Sequence, residues 1–221
     1  MTDIAENITT LKQQIPSSVK LVAVSKTKPI SDIIIAYNTG QRRFGENRVQ
    51  EILSKKDLLP PDIEWHLIGH LQSNKVKFIV SFINMIQSVD SFKLLRTINS
   101  EALKINRKID CLLQIHIAEE ETKFGFSMKE LDEMTHSQEF VDLNNVRICG
   151  IMGMATFTDN TGQVQKEFKH LVKCFNNLKN GYFTEVPEFR EISMGMSGDY
   201  NIAINEGSTI VRIGSLIFGE R

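Results

Sequence analysis

A lysine at the end of an apolar run is the first residue here with reactive chemistry to offer. In VKLVAVSK, strand alternation puts Val22, Val24 and Lys26 on one face. Burial there disfavours the ammonium and lowers its pKa, which frees the amine for Schiff-base formation. Lys28, two residues on, reads as a solvated loop charge. The other end of the chain offers a grip for an anion. SMGMSGDYNIAINEG (193–207) contains the small-residue turn Gly195, Ser197 and Gly198, then a helix expected over about 199–206. Backbone N–H groups and the Ser197 hydroxyl would converge there on one spot. Gly214-Ser215 makes a second small turn, and Arg212 stands two residues before it. Each feature alone has a plainer reading, as a tight turn or as a lysine that snorkels or pairs with an acid. Brought to one place, they would suit a phosphorylated aldehyde.

The two ends of the chain must meet for this to work, and the alternation of elements says how. Eight strand-like runs are legible: VKLVAVS (19–25), RRFGE (42–46), EWHLIG (64–69), MIQSVD (85–90), IDCLLQIHI (109–117), VRICGIMGM (146–154), FREISMG (189–195) and TIVRIGS (209–215). Several are almost continuously apolar, as in parallel strands covered on both faces. Helical spacing fills the gaps. Ile30, Ile33, Ile34 and Tyr37 form one face after Pro29 and before Gly40. Phe92, Leu95, Ile98 and Leu103 form another, with Asp90 or Ser91 as cap. Phe168, Leu171, Val172, Phe175 and Leu178 mark a third, ended by Asn180-Gly181, and Ile4, Ile8, Leu11 and Ile15 mark an N-terminal helix closed by Pro16. The pattern predicts an α/β fold with one domain over 1–221: a (β/α)8 TIM-type barrel with an extra N-terminal helix. An open doubly wound sheet is the alternative, but that fold carries a glycine-rich fingerprint after its first strand, where this chain has SKTKP. In a closed barrel strand eight lies beside strand one. Arg212 then comes close to Lys26 and disfavours its charge further, and the loops after strands seven and eight are the usual phosphate site. Pyridoxal phosphate fits this set, with the imine at the lysine, the phosphate in the last two loops and the arginine facing the pyridine nitrogen.

The sequence resembles the pyridoxal phosphate homeostasis proteins, single-domain relatives of the N-terminal barrel of alanine racemases. The resemblance rests on LVAVSKTKP (21–29), FGENRVQE (44–51), EWHLIGHLQSNK (64–75), MGMSGDY (194–200) and GSTIVRIGSLIFGER (207–221), in order over nearly the whole chain. It implies that Lys26 is the Schiff-base lysine, that Ser197, Gly214 and Ser215 hold the phosphate, and that Arg212 faces the pyridine nitrogen. It further implies that Asn47 and His66 line the pocket near the ring and that Met196 gives a backbone contact. Ser215 stands where many members have Thr, and both carry a hydroxyl. The turn TKFG (122–125) resembles the family's loop after strand five, which makes Lys123 a candidate secondary ligand contact.

Carrier and catalyst remain to be separated, because fold does not imply function. In the resembling racemases a second base is a tyrosine from a separate C-terminal β domain. This sequence ends at Arg221, so that domain is expected to be absent. Of the three tyrosines, Tyr37 and Tyr182 read as structural, and Tyr200, after the phosphate turn, is the one expected near the cofactor. A permanently charged arginine keeps the pyridine nitrogen unprotonated and weakens the ring as an electron sink. The expectation is a non-catalytic cofactor carrier in vitamin B6 homeostasis, which buffers free pyridoxal 5′-phosphate and supplies apoenzymes. The alternative is a small amino-acid racemase.

Composition narrows the rest. With 26 basic against 27 acidic residues the formal charge is −1, without the basic excess of a nucleic-acid binder. The first sixteen residues lack the apolar core of a signal peptide, and FIVSFINMI (78–86) is too short and too polar to cross a membrane. Three cysteines without CxxC spacing read as reduced core thiols, and the expectation is a cytoplasmic monomer. His66 and His70 straddle a strand-to-loop junction, so a metal-hydrolase pairing fails. Glu119-Glu120-Glu121 reads as a solvated loop, and Trp65 as packing.

Overall fold

Strands apolar on both faces need two apolar surroundings, and the computed structural model, which describes residues 3–119 and 124–220, supplies both. The chain runs α1 (Ile4–Gln14), β1 (Lys20–Val24), α2 (Ile30–Asn38), β2 (Arg43–Glu46), α3 (Val49–Lys55), β3 (Glu64–Leu67), β4 (Met85–Val89), α4 (Phe92–Leu103), β5 (Ile109–Gln114), α5 (Met128–Thr135), α6 (Gln138–Val141), β6 (Val146–Met152), α7 (Thr161–Asn180), β7 (Glu191–Ser193), α8 (Tyr200–Asn205), β8 (Ile210–Ile213) and α9 (Ser215–Phe218). The strands pair in parallel in sequence order, and β1 pairs with β8, so the sheet closes into an eight-stranded barrel. Outward residues such as Leu21, Phe44, Leu67, Ile86, Leu113, Ile151 and Val211 pack under the helices in one large core. Inward residues Val22, Met85, Leu112, Cys149, Met152 and Ile210 fill the barrel itself in a second. The helix α1 precedes the barrel and is tied to its far end by Asn7, whose amide donates to the Ile217 carbonyl. All three cysteines are buried free thiols. Trp65 is buried in the outer core beside Phe44.

The strands are shorter than their sequence patterns. β7 keeps three residues of the expected 189–195, and β8 four of 209–215. Beyond β8, Gly214 and Ser215 line the barrel mouth. The connection after β3 holds a 3-10 run, Ser73–Phe78, in place of an α-helix. The helices anticipated from periodicity form as read, with Ser91 capping α4 and Gly181 ending α7. The helices α3, α5, α6 and α9 are not evident from hydrophobic spacing. Of these α5 had a signal, since Ser127 and Glu130 make a reciprocal capping box at its start.

Candidate functional site

The strands deliver their C-terminal ends to one face, and a cavity of about 780 Å³ opens there. A smaller crevice of about 310 Å³ lies at the opposite end, around Phe140, Val146 and Tyr182, away from the strand ends where barrel chemistry is placed. The large cavity is lined by Lys26 after β1, Asn47 after β2, and Met196 and Ser197 after β7, together with Arg212, Gly214 and Ser215 of β8 and its loop. Seven of the eight residues expected at a cofactor site therefore share one space. The eighth, His66, lies inside the barrel below it.

Lys26 sits two residues beyond β1, half-buried, in a turn. Val24 lines the same cavity and Val22 the barrel interior, as the alternation predicts. Thr27, next in the chain, has φ +64, a left-handed conformation uncommon for a β-branched residue. Lys28 departs from its expectation as a solvated charge. Its ammonium donates to the carbonyls of Phe218 at 2.9 Å and of Gly219 and Glu220 at 3.2 Å, and so ties the first loop to the last helix. Arg212 pairs in register with Val22, four residues before Lys26, so the guanidinium enters the cavity from a lower layer of the barrel than the amine.

The two small turns meet. The Gly214 N–H donates to Ser197 Oγ at 3.3 Å, which joins the loop after β7 to the loop after β8. α9 starts at Ser215, so the first N–H groups of that turn have no acceptor within the helix. Gly195 is required where it stands. Its φ is +96, and a Cβ would lie 2.6 Å from the Ala203 Cβ, so α8 packs directly on the turn. Met196 lines the cavity, but its N–H is engaged by Asp199 Oδ1 at 2.5 Å. Tyr200 turns away. It is buried, is absent from the cavity lining, and its hydroxyl donates to Gln14 Oε1 at 3.0 Å, against the expectation that placed it near a ligand.

Arg212 is 3% exposed and anchors a buried relay. It donates from one nitrogen to Ser193 Oγ at 2.5 Å and from the other to the Gly153 carbonyl at 3.0 Å. Ser193 in turn donates to Gln87 Oε1 at 2.7 Å, and Gln87 Nε2 lies 2.8 Å from His66 Nδ1. Because a guanidinium only donates, every bond in the chain has one direction. Gln87 must donate to Nδ1, so the neutral His66 carries its proton on Nε2. Burial, aided by the charges of Arg43 and Lys20, pushes the His66 imidazole down to about 3, which keeps it neutral. Burial also lowers Arg212 to about 10, opposed by the Asp199 carboxylate. Asp199 is raised by its own burial, against the Met196 N–H and Arg212. His66, expected to line the pocket, is absent from the cavity lining and lies three hydrogen bonds from Arg212, through Gln87 and Ser193.

Gln87 and Ser193 escaped the sequence reading. Gln87 alternates with the inward-facing Met85 on β4, which was the available signal for it, and Ser193 had none. The mouth also carries Phe124 and a 97% exposed Phe157, with His70 stacked on Phe124 at 4.1 Å and bound to Asp90 at 2.7 Å. Lys123, and with it Glu120 and Glu121, lies outside the described residues. Among the described residues no cluster of three metal-ligating side chains occurs, and no helix is long and apolar enough to cross a membrane.

Comparison with known proteins finds relatives along the whole chain. A family model described as alanine racemase, N-terminal domain, matches residues 1–221. A pyridoxal phosphate homeostasis protein of Aquifex aeolicus is 41% identical over 206 residues, covering 91% of this chain and 87% of that protein. One from Synechocystis is 40% identical, covering 94% of each. The structure of PipY from Synechococcus elongatus with PLP bound superposes with a TM-score of 0.88 at 36% identity, covering 98% of this chain and 100% of that one.

Proposed function

The chain belongs to the alanine racemase N-terminal domain family, and from that membership we propose that it binds pyridoxal 5′-phosphate covalently through Lys26 and serves vitamin B6 homeostasis as a carrier. When bound, that cofactor supplies an aldehyde that a primary amine captures reversibly as an imine, releasing one water with no change of oxidation state. The observation that carries the reading is the convergence of the Lys26 amine, the Arg212 guanidinium and the joined Ser197 and Gly214-Ser215 turns on one cavity. The donor set fits. The hydroxyls of Ser197 and Ser215, and the N–H groups where α9 begins, suit a phosphate. Arg212, held by Ser193 and the Gly153 carbonyl, would offer a fixed positive charge to the pyridine nitrogen and so keep a proton off it. Asn47 and Met196 border the same space.

Stored aldehyde would be released to apoenzymes, with the protein acting in the cytoplasm as a monomer. The test is addition of pyridoxal 5′-phosphate to the purified protein, followed by borohydride reduction and peptide mapping. A visible imine band and a reduced adduct at Lys26, both lost in Lys26→Ala, are expected. An unlabelled Lys26 would end the covalent reading. Clear loss of optical activity from single-enantiomer amino acids, abolished in Lys26→Ala, would instead make the protein a racemase.

A further inference from the structure

Behind Lys26, on the side away from the cavity, three charged residues are packed around its backbone. Glu46, the last residue of β2, is fully buried. Its Oε1 accepts from the Ser25 hydroxyl at 2.7 Å and from the Lys55 ammonium at 2.8 Å, while Oε2 has no partner. Lys55, at the end of α3, is itself buried and donates a further bond to the Ser25 carbonyl at 3.0 Å. Glu51, one turn earlier on α3, accepts from the Thr27 N–H at 2.7 Å and lies 3.5 Å from the Lys55 ammonium. The residues on both sides of Lys26 are therefore fixed by side chains: Ser25 through its hydroxyl and carbonyl, Thr27 through its N–H.

We infer that Glu46, Lys55 and Glu51 are positioning residues that clamp the Ser25–Lys26–Thr27 turn and thereby set the direction in which the Lys26 amine enters the cavity. Two observations carry this. First, Thr27 is held at φ +64, a strained state for a β-branched residue that persists only where its surroundings over-determine it. The bond from Thr27 N–H to Glu51 is the contact that does so. Secondly, a buried ion pair is poor value as a source of stability, since desolvation offsets much of the attraction. Its retention here, with one carboxylate oxygen unsatisfied, points to a geometric purpose. Burial pushes the Glu46 carboxyl up, and the bonds from Lys55 and Ser25 oppose this. The inference rests on Lys26 being the attachment point.

Two probes separate the inference from that premise. Pyridoxal 5′-phosphate needs both the phosphate turns and a correctly aimed amine. Pyridoxine 5′-phosphate, with an alcohol for the aldehyde, needs only the turns. In Glu51→Ala and Lys55→Met, imine formation with the aldehyde should slow at least tenfold, while affinity for the alcohol stays within twofold of wild type. Glu51→Gln, whose amide oxygen still accepts from the Thr27 N–H, should restore most of the rate. In the cofactor-free protein, the Thr27 amide should exchange faster in Glu51→Ala. If Lys55→Met does not fold, the half-exposed Glu51 pair decides alone. Imine formation at wild-type rate in Glu51→Ala, or equal loss in Glu51→Ala and Glu51→Gln, would overturn the clamp. Absence of an imine in the wild type would instead remove the premise.

Discussion

Arg212 is a guanidinium inside a barrel, and no carboxylate touches it. It donates to the Ser193 hydroxyl and the Gly153 carbonyl, and the Asp199 carboxylate favours its charge from a distance. Removing the middle of the relay behind Ser193 should expose the cost. In Gln87→Leu, both the Ser193 hydroxyl and His66 Nδ1 lose a buried partner, and the expected destabilisation is about 3 kcal/mol by urea unfolding. A change under about 1 kcal/mol would show that those groups find other partners. His66 also dates the loss of stability in acid. An unfolded imidazole titrates near about 6.5, and this one near 3 when folded. Between those values the unfolded chain binds more protons. The contribution is therefore intact above about pH 6.5 and falls as pH drops toward 3, by about 1.4 kcal/mol per unit. His66→Gln should flatten the acid limb of the stability curve by one proton's slope. An unchanged slope would mean that the imidazole is not buried neutral. At this scale the sequence pointed to Lys26, Ser197 and Arg212, which line one cavity, because they carry chemistry in their own side chains. It did not show Gln87 or Ser193, whose importance comes from partners on other strands.

Elements place these groups with little slack, and the turn after β7 is the tightest case. Gly195 lets α8 press against the loop, and the Ser197 hydroxyl then receives the Gly214 N–H. Ser197→Ala removes both that acceptor and a donor to a bound phosphate. Affinity for pyridoxal 5′-phosphate should fall about tenfold, the equivalent of about 1.4 kcal/mol, while affinity for phosphate-free pyridoxal hardly changes. Equal losses for the two ligands would place the phosphate elsewhere. The helices that bury a continuous face were readable from spacing, as Ile33 of α2 and Phe168 and Leu171 of α7 illustrate. The short α9 was not, because four residues cannot display a period. Strand ends were overextended for a related reason. Met154 continues the inward pattern past the last residue of β6, into the wall of the cavity.

The seam between β7 and β8 carries the fewest register pairs of the barrel, with three backbone bonds across it from the N–H groups of Thr209, Met194 and Arg212, and the proposed ligand lies across it. β1 and β8 share four register pairs, whereas β7 and β8 share one, Ser193 with Ile210. Side chains supplement that seam. Ser208 Oγ lies within 3.3 Å of the carbonyls of Ile192, Met194 and Ile210, and Thr209 Oγ1 accepts from the Ile192 N–H while donating to Glu191. A phosphate held between the loops after β7 and β8 adds a bridge where the ladder is shortest, and an attachment at Lys26 extends it to β1. Binding to the folded state alone raises stability by RT ln(1 + [L]/Kd), about 2.7 kcal/mol at a hundredfold excess over Kd. That gain should be unevenly distributed. Amide exchange measured with and without pyridoxal 5′-phosphate should slow most at Glu191–Ser193 and Ile210–Ile213, and little at Ile109–Gln114, which is paired at six positions with β6. In Lys26→Ala, part of the protection at the seam should survive, because the phosphate turns remain. Uniform protection around the barrel would show that the ligand stabilises the fold without bridging its closure.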